Sequence, residues 1–523
     1  MAWILTALIM VSAAALRLPL LDVPLDRDEG EYAYVARLLL DGVPPFSEAH
    51  NMKMPGIYAV YGLVLTMFGS THTAIHLGLL FANALSIALV FLLGRRLMDA
   101  TAGVAAAATY ALLTLSETVL GSAANAEHFV VPLALGALLM LLSALERDRV
   151  PRLLVAGLLL GLAMLVKQHG LFFLAFAMLY LALARQWRRA AILLGAAMAP
   201  LVALIAAMIA LGVHRTFWFW TVQYALAYAS TLPVVAGVLI LISRLAELFA
   251  PTWPLWILAG TGLVALFTDE RARRWRRFLF PFAVASALST AVGFYFRPPY
   301  FVLVAPAVAL LVGTAASVIT ARVATMASPA AGRAATVVIL ALAAVYTLWA
   351  ERTYLFELTP TMVARRLYGG NPFPEALEVA RYIRERSAPA DRIAVLGSEP
   401  EIYFYSKRRA ATGYLHTYPL MENQPYAGRM QREMVLQIES VRPAFLVYVN
   451  VPASWLVKES SDPFVLTWFE AYQRRYYERV GVVDILSPGF TLYLWDASAV
   501  GYTPRSNVWL AVFKRRDASA RQP

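Results

Sequence analysis

Eleven apolar runs of 17 to 25 residues, separated by short polar turns, constrain this chain more than any other feature. They cover residues 2–20, 72–94, 101–120, 124–146, 151–167, 169–185, 188–212, 252–268, 278–296, 299–318 and 334–350. A helix needs roughly 20 mostly apolar residues to cross a bilayer, so the runs predict a polytopic membrane bundle of about eleven spans. A mean hydropathy of +0.61 agrees, because a water-soluble fold could not hide so much apolar surface. The net charge of +12 does not indicate a nucleic-acid partner, since the arginines concentrate in short loops on one side. Arg95–Arg96, Arg147/Arg149/Arg152, Arg185/Arg188/Arg189, the cluster 271–277 and Arg322/Arg333 all fall on the predicted inner side. The alternation holds if 213–251, rich in Trp and Tyr, is an outer interfacial or re-entrant segment. The first run lacks a basic leader and reads as an anchor, so the loop after it lies outside. There is no cysteine, which removes disulfides, thiolate metal sites and a thiol nucleophile.

That first loop, 21–71, is a polar island. From Leu21 to Gly56 it holds seven carboxylates against three Lys or Arg side chains. Asp26, Asp28, Glu29 and Glu31 follow the first span directly, and Lys53 precedes Met54-Pro55-Gly56, where a second helix should start. Tyr32, Val35, Ala36 and Leu39 share one face of a short helix suited to lying on the membrane surface. Three further outer turns carry Glu127 and His128, Lys167 with His169, and Arg297. Anions and cations thus gather at one membrane face. Taken alone, the carboxylates also suit a helix N-terminus, and the cations suit interfacial anchoring. Glu127 could cap its span. No second ligand stands at helical spacing from His128 or His169, so no metal is indicated. The aromatic run Phe217–Trp220 reads as an interface belt, or as a lid over a sugar or lipid.

From Glu351 the composition turns mixed. Helices over 374–386, 429–440 and 463–477 alternate with strands at 392–397, 444–451, 480–486 and 490–495. This predicts a separate α/β domain over 351–523, outside the membrane, following a membrane module over 1–350.

Asp28-Glu29, Lys53-Met54-Pro55-Gly56, Ala126-Glu127-His128, LVKQHGLFFL (165–174) and YFRPPYFVLVAPAVALL (295–311) resemble motifs of the GT-C superfamily. These are glycosyltransferases that use a polyprenyl-phosphate sugar. The likeness is to the branch holding protein O-mannosyltransferases and lipid A aminoarabinose transferases. Relatives often show Lys-Pro-Pro where this chain has Lys53-Met54-Pro55. The resemblance implies a sugar on polyprenyl phosphate as donor, a lipid, glycan or protein hydroxyl as acceptor, and inverting transfer at the outer face of the cell membrane. It implies Asp28 as base, aided by Glu29, and Lys53, Arg297 and Lys167 on the donor phosphate. Glu127 and His128 would form a second acidic or acceptor site, and no cofactor is required. A transporter or lipid-carrier flippase, and more weakly a glycan ligase, are the alternative readings. Dissimilar halves and ionisable groups at helix ends count against transport.

Overall fold

The computed structural model describes residues 1–516. All eleven apolar runs are helical, and among the described residues eight helices are long and apolar enough to cross a membrane. These include Ala2–Leu20, α4 (His72–Leu97), α6 (Ala126–Arg147) and α9 (Trp187–Ala210). Arg276–Phe294, Pro298–Met326 and Pro329–Ala350 are also among them. The runs at 101–120, 151–167 and 169–185 give shorter helices: α5 (Ala100–Leu115), α7 (Val150–Val166) and α8 (Leu171–Leu183). Polar caps fix several ends. Thr71 accepts from Ala74 N to start α4, and Asp99 accepts from Ala102 N to start α5. Pro298–Met326 is the centre of the bundle, with 89% of its apolar window buried, whereas Val234–Thr268 has 11% and forms the rim. Small residues let the central helix approach its neighbours: a Cβ on Gly313 would lie 2.5 Å from the Ala102 carbonyl oxygen.

The stretch 213–251, expected to be an outer interfacial or re-entrant segment, divides in two. His214–Trp218, a π-helical turn over Phe219–Tyr224 and Ala225–Ala229 make a short aromatic segment. After a break, Val234–Thr268 is one helix of 35 residues, joining half of that stretch to the span at 252–268. At 1.5 Å per residue it runs about 52 Å, well beyond a hydrocarbon core of about 30 Å. Pro251 and Pro254, which interrupt the apolar run in the sequence, lie inside it.

The C-terminal region carries a six-stranded mixed sheet in the order β2-β1-β3-β6-β4-β5. Its strands are β1 (Arg392–Leu396), β2 (Arg409–Ala410), β3 (Phe445–Asn450), β4 (Tyr477–Ser487), β5 (Phe490–Trp495) and β6 (Trp509–Arg515). β1 runs parallel to β2 and β3, and β6 is antiparallel to both β3 and β4. Helices Phe373–Glu385, Ala427–Val441 and Phe464–Tyr476 match the expected ones within a few residues. Strands β2 and β6 are the two that the sequence reading omitted.

Between bundle and sheet lies the first loop, as α2 (Arg27–Leu40) and α3 (Pro55–Phe68). The expected surface helix is in fact buried on almost every side, from Glu29 through Ala36 and at Leu38. It packs on α3 below and on the helix Glu401–Ser406 above.

Candidate active site

Asp26 starts α2 with a capping box: its side chain accepts from Glu29 N at 2.9 Å, and Glu29 accepts from Asp26 N at 3.1 Å. With that start fixed, Asp28 and Tyr32 stand one turn apart on the same face. Both reach Lys53, whose Nζ donates to Asp28 Oδ2 at 3.1 Å and to the Tyr32 hydroxyl at 3.1 Å. Lys53 belongs to the linker just before α3, where Met54 caps and Pro55 opens the helix. The Asp28 side chain is 34% exposed and that of Lys53 17%, so the pair borders open space. Burial pulls the Asp28 carboxyl upward, but Lys53, Lys167 and His416 outweigh it and hold it down at about 2. Burial likewise opposes the charge on Lys53, and Asp28, Tyr32 and Glu31 overcome that, keeping the ammonium well above its ordinary value.

Lys167, at the end of α7, donates to Glu127 at the start of α6, and its ammonium sits 4.5 Å from the Tyr300 ring centre. The His169 ring packs on the same tyrosine at 4.7 Å. Tyr300 lies within electrostatic reach of Lys53 and of Arg297. Arg297 is exposed, extends toward the Tyr228 hydroxyl at 3.5 Å and covers the Tyr295 ring. Asp28, Lys53, Lys167, Glu127 and Arg297 therefore surround one region at the sheet-facing end of the bundle.

Two of the residues read from the sequence stand apart. Glu29 is 1% exposed and accepts from Ala124 N at 2.6 Å and from His76 Nε2 at 3.0 Å. It braces α2 against α4 and the turn before α6. His128 is 1% exposed, and neither ring nitrogen finds a hydrogen-bond partner among the described residues. Its surroundings include Arg17.

The residues that sequence reasoning missed, His416 and Tyr418, come from long range, and His416 meets Glu31, which the sequence showed only as one member of the acidic cluster. Glu31, fully buried, accepts from Asn51 at 2.6 Å, from the Tyr58 hydroxyl at 2.7 Å and from His416 at 3.0 Å. Tyr418, beside His416, lies within reach of Asp28, Lys53 and Tyr228. A small pocket lined by His50, Asn51, Trp220, Tyr224, His416 and Tyr418 adjoins the Lys53 linker. The aromatic run 217–220 thus contributes its buried side chains, Phe217 and Trp220, to the contact with the sheet region, while Trp218 stays exposed.

Residues 52–220 match the family described as dolichyl-phosphate-mannose-protein mannosyltransferase. This span contains Lys53, Glu127, His128 and Lys167 and leaves Asp28, Glu29 and Arg297 outside it. No curated protein matches the sequence significantly. In structure the chain is similar to ArnT from Cupriavidus metallidurans bound to undecaprenyl phosphate, at 16% identity and a TM-score of 0.61. That likeness covers 100% of this chain and 99% of the other. It is also similar to the oligosaccharyltransferase of Archaeoglobus fulgidus, at 15% identity and a TM-score of 0.53, over 96% of this chain and 75% of that one. The same archaeal enzyme in complex with an inhibitory peptide and a dolichol-phosphate gives 0.52. At these identities the likeness is one of fold.

Proposed function

We propose that this chain is a GT-C membrane glycosyltransferase that takes a sugar from a polyprenyl-phosphate donor and transfers it to a hydroxyl group by one inverting displacement, a reading supported by the family match over 52–220 and the likeness of fold. The acceptor is a lipid, glycan or protein, met at the outer face of the cell membrane. The observation that carries this reading is the Asp28–Lys53 pair at 3.1 Å, part-exposed, with Lys167 and Arg297 nearby. A phosphodiester donor brings one negative charge, and its departure as a phosphate adds another. Cations held in a poorly hydrated site stabilise that developing charge. The bound undecaprenyl phosphate and dolichol-phosphate of the structurally similar proteins support the same donor class.

Asp28 supplies the base. Paired with Lys53 it is ionised but weakly basic. When the donor phosphate draws Lys53 toward itself, Asp28 loses its counter-charge and regains affinity for the acceptor's proton. Lys167 is neutralised by Glu127 and so acts on the phosphate more weakly than Lys53. Arg297, which meets Tyr228 and Tyr295, supplies a further cation to the leaving phosphate.

The test is sugar transfer from a synthetic polyprenyl-phosphate donor in nanodiscs, with donor binding measured in parallel. Asp28→Asn should lower turnover by about 10²–10⁴-fold with donor binding near normal. Lys53→Ala should weaken donor binding by about 1.5–3 kcal/mol. An Asp28→Asn protein with near wild-type turnover would end the base assignment. A wild-type chain that moves the lipid donor across the bilayer without forming glycosyl product would favour the flippase reading.

A further inference from the structure

Lys53 lies outside regular structure. Helix α2 ends at Leu40 and α3 begins at Pro55, so the position of its backbone depends on what grips the linker between them. The grip comes from three sides. Asn51 donates from Nδ2 to Glu31 at 2.6 Å and accepts from Met52 N through Oδ1 at 2.6 Å, which fixes the peptide next to Lys53. Gln168 donates to the Met52 carbonyl at 3.0 Å. His50 N donates to the Gly413 carbonyl at 2.8 Å, and a side chain on Gly413 would collide with the His50 ring at 2.5 Å.

Glu31 is the junction. It is a fully buried carboxylate on α2, and one of its donors, His416 Nε2 at 3.0 Å, comes from the sheet region 385 residues away. The same oxygen, Oε2, accepts from both His416 and Asn51. A carboxyl group buried at this depth is costly unless its oxygens are met by donors, so each donor helps hold the others in place.

We infer that His416 is a positioning residue of the transfer site: acting through Glu31 and Asn51, it sets where the linker presents Lys53 to the donor phosphate. The C-terminal region is then part of the catalytic unit, and the site is incomplete without it. His416 touches neither donor nor acceptor in this scheme. Its contribution is the alignment of a cation that does. A charge-assisted contact depends steeply on donor–acceptor distance, so a linker released by a fraction of an ångström binds the phosphate less well. The inference rests on the reading that Lys53 meets the donor phosphate.

The experiment measures the donor Kd and kcat of the full chain in nanodiscs, with a synthetic polyprenyl-phosphate sugar as probe and thermal melting as control. His416→Leu keeps the bulk and removes the donor atom; the donor Kd should rise about tenfold, the scale of one charge-assisted hydrogen bond, with kcat changed less. His416→Gln, whose side-chain nitrogen takes the Nε2 position, should restore most of the affinity. Asn51→Ala should raise Kd to a similar extent, and combining it with His416→Leu should add little. A structural role alone would lower the melting temperature in all variants without the Gln rescue or the non-additivity. If His416→Leu fails to fold, Asn51→Ala and His416→Gln carry the same comparison. Unchanged donor Kd in His416→Leu and Asn51→Ala, with Kd raised in Lys53→Ala, overturns the relay and leaves the site reading intact. Unchanged Kd in Lys53→Ala overturns both.

Discussion

Asp28 and Glu29 are adjacent and chemically alike, yet the helix turns them about 100° apart into opposite circumstances. Asp28 borders open space beside Lys53, while Glu29 is enclosed by three donors, Asp26 N, Ala124 N and His76. Glu29→Gln puts an amide where two backbone N–H groups and an imidazole converge. It should therefore destabilise the fold by about 1–3 kcal/mol, read as a lower melting temperature, with turnover per folded molecule close to normal. From the sequence the two carboxylates formed a single acidic motif, because which side of α2 meets α4 is decided by a partner 47 residues away. Lys53 was legible, since a lone cation before a proline-started helix is locally marked. Glu31 and His416 were not: a glutamate in an acidic cluster reads as solvated, and nothing local ties it to a histidine 385 positions on.

Among the elements, α2 connects the two halves of the molecule. Arg27 donates to the Ser398 carbonyl at 2.6 Å, and the Tyr34 hydroxyl accepts from Ala410 N at 2.8 Å. Leu25 N donates to the Tyr405 hydroxyl at 2.9 Å just before the helix. Gly30 makes the closest approach: a Cβ there would lie 2.6 Å from the backbone nitrogen of Glu401. Gly30→Ala should consequently push α2 off the helix Glu401–Ser406. The expected result is a loss of roughly 1–3 kcal/mol in stability, the cost of overpacking, and weaker donor binding. Thermal melting and donor titration check it; wild-type values in both would mean that the two helices part freely. The 3.6-residue period of Tyr32, Val35 and Ala36 was visible in the sequence, but it signalled one apolar face and a membrane surface. The polar face is buried as well, against protein, and hydropathy carries no trace of that. The joined helix Val234–Thr268 was hidden for a related reason, since its prolines and charged Arg244 and Glu247 break the apolar run without breaking the helix.

For the whole molecule, the apolar runs were legible because spanning a bilayer imposes its own length scale. Four of the six strands were legible through helix–strand alternation, and the sheet's order was not, since pairing is set by partners far apart in sequence. The arginine asymmetry predicts which side is outside, and the absence of native cysteine makes that measurable. An introduced cysteine at exposed Ala388 should react with an impermeant reagent in intact cells, and one at exposed Arg273 should not. The reverse pattern would put the transfer site on the inner side. The sheet has a further consequence, for the order in which the protein can be built. Strand β6, the last of the six along the chain, lies in the interior of the sheet, registered against β3 on one edge and β4 on the other. A chain emerging from the ribosome can insert its helices one by one, but β3 and β4 have no shared neighbour until residues 509–515 arrive. A chain that stops short of residue 509 therefore leaves β3 and β4 unjoined, and the sheet can close only once that segment is made.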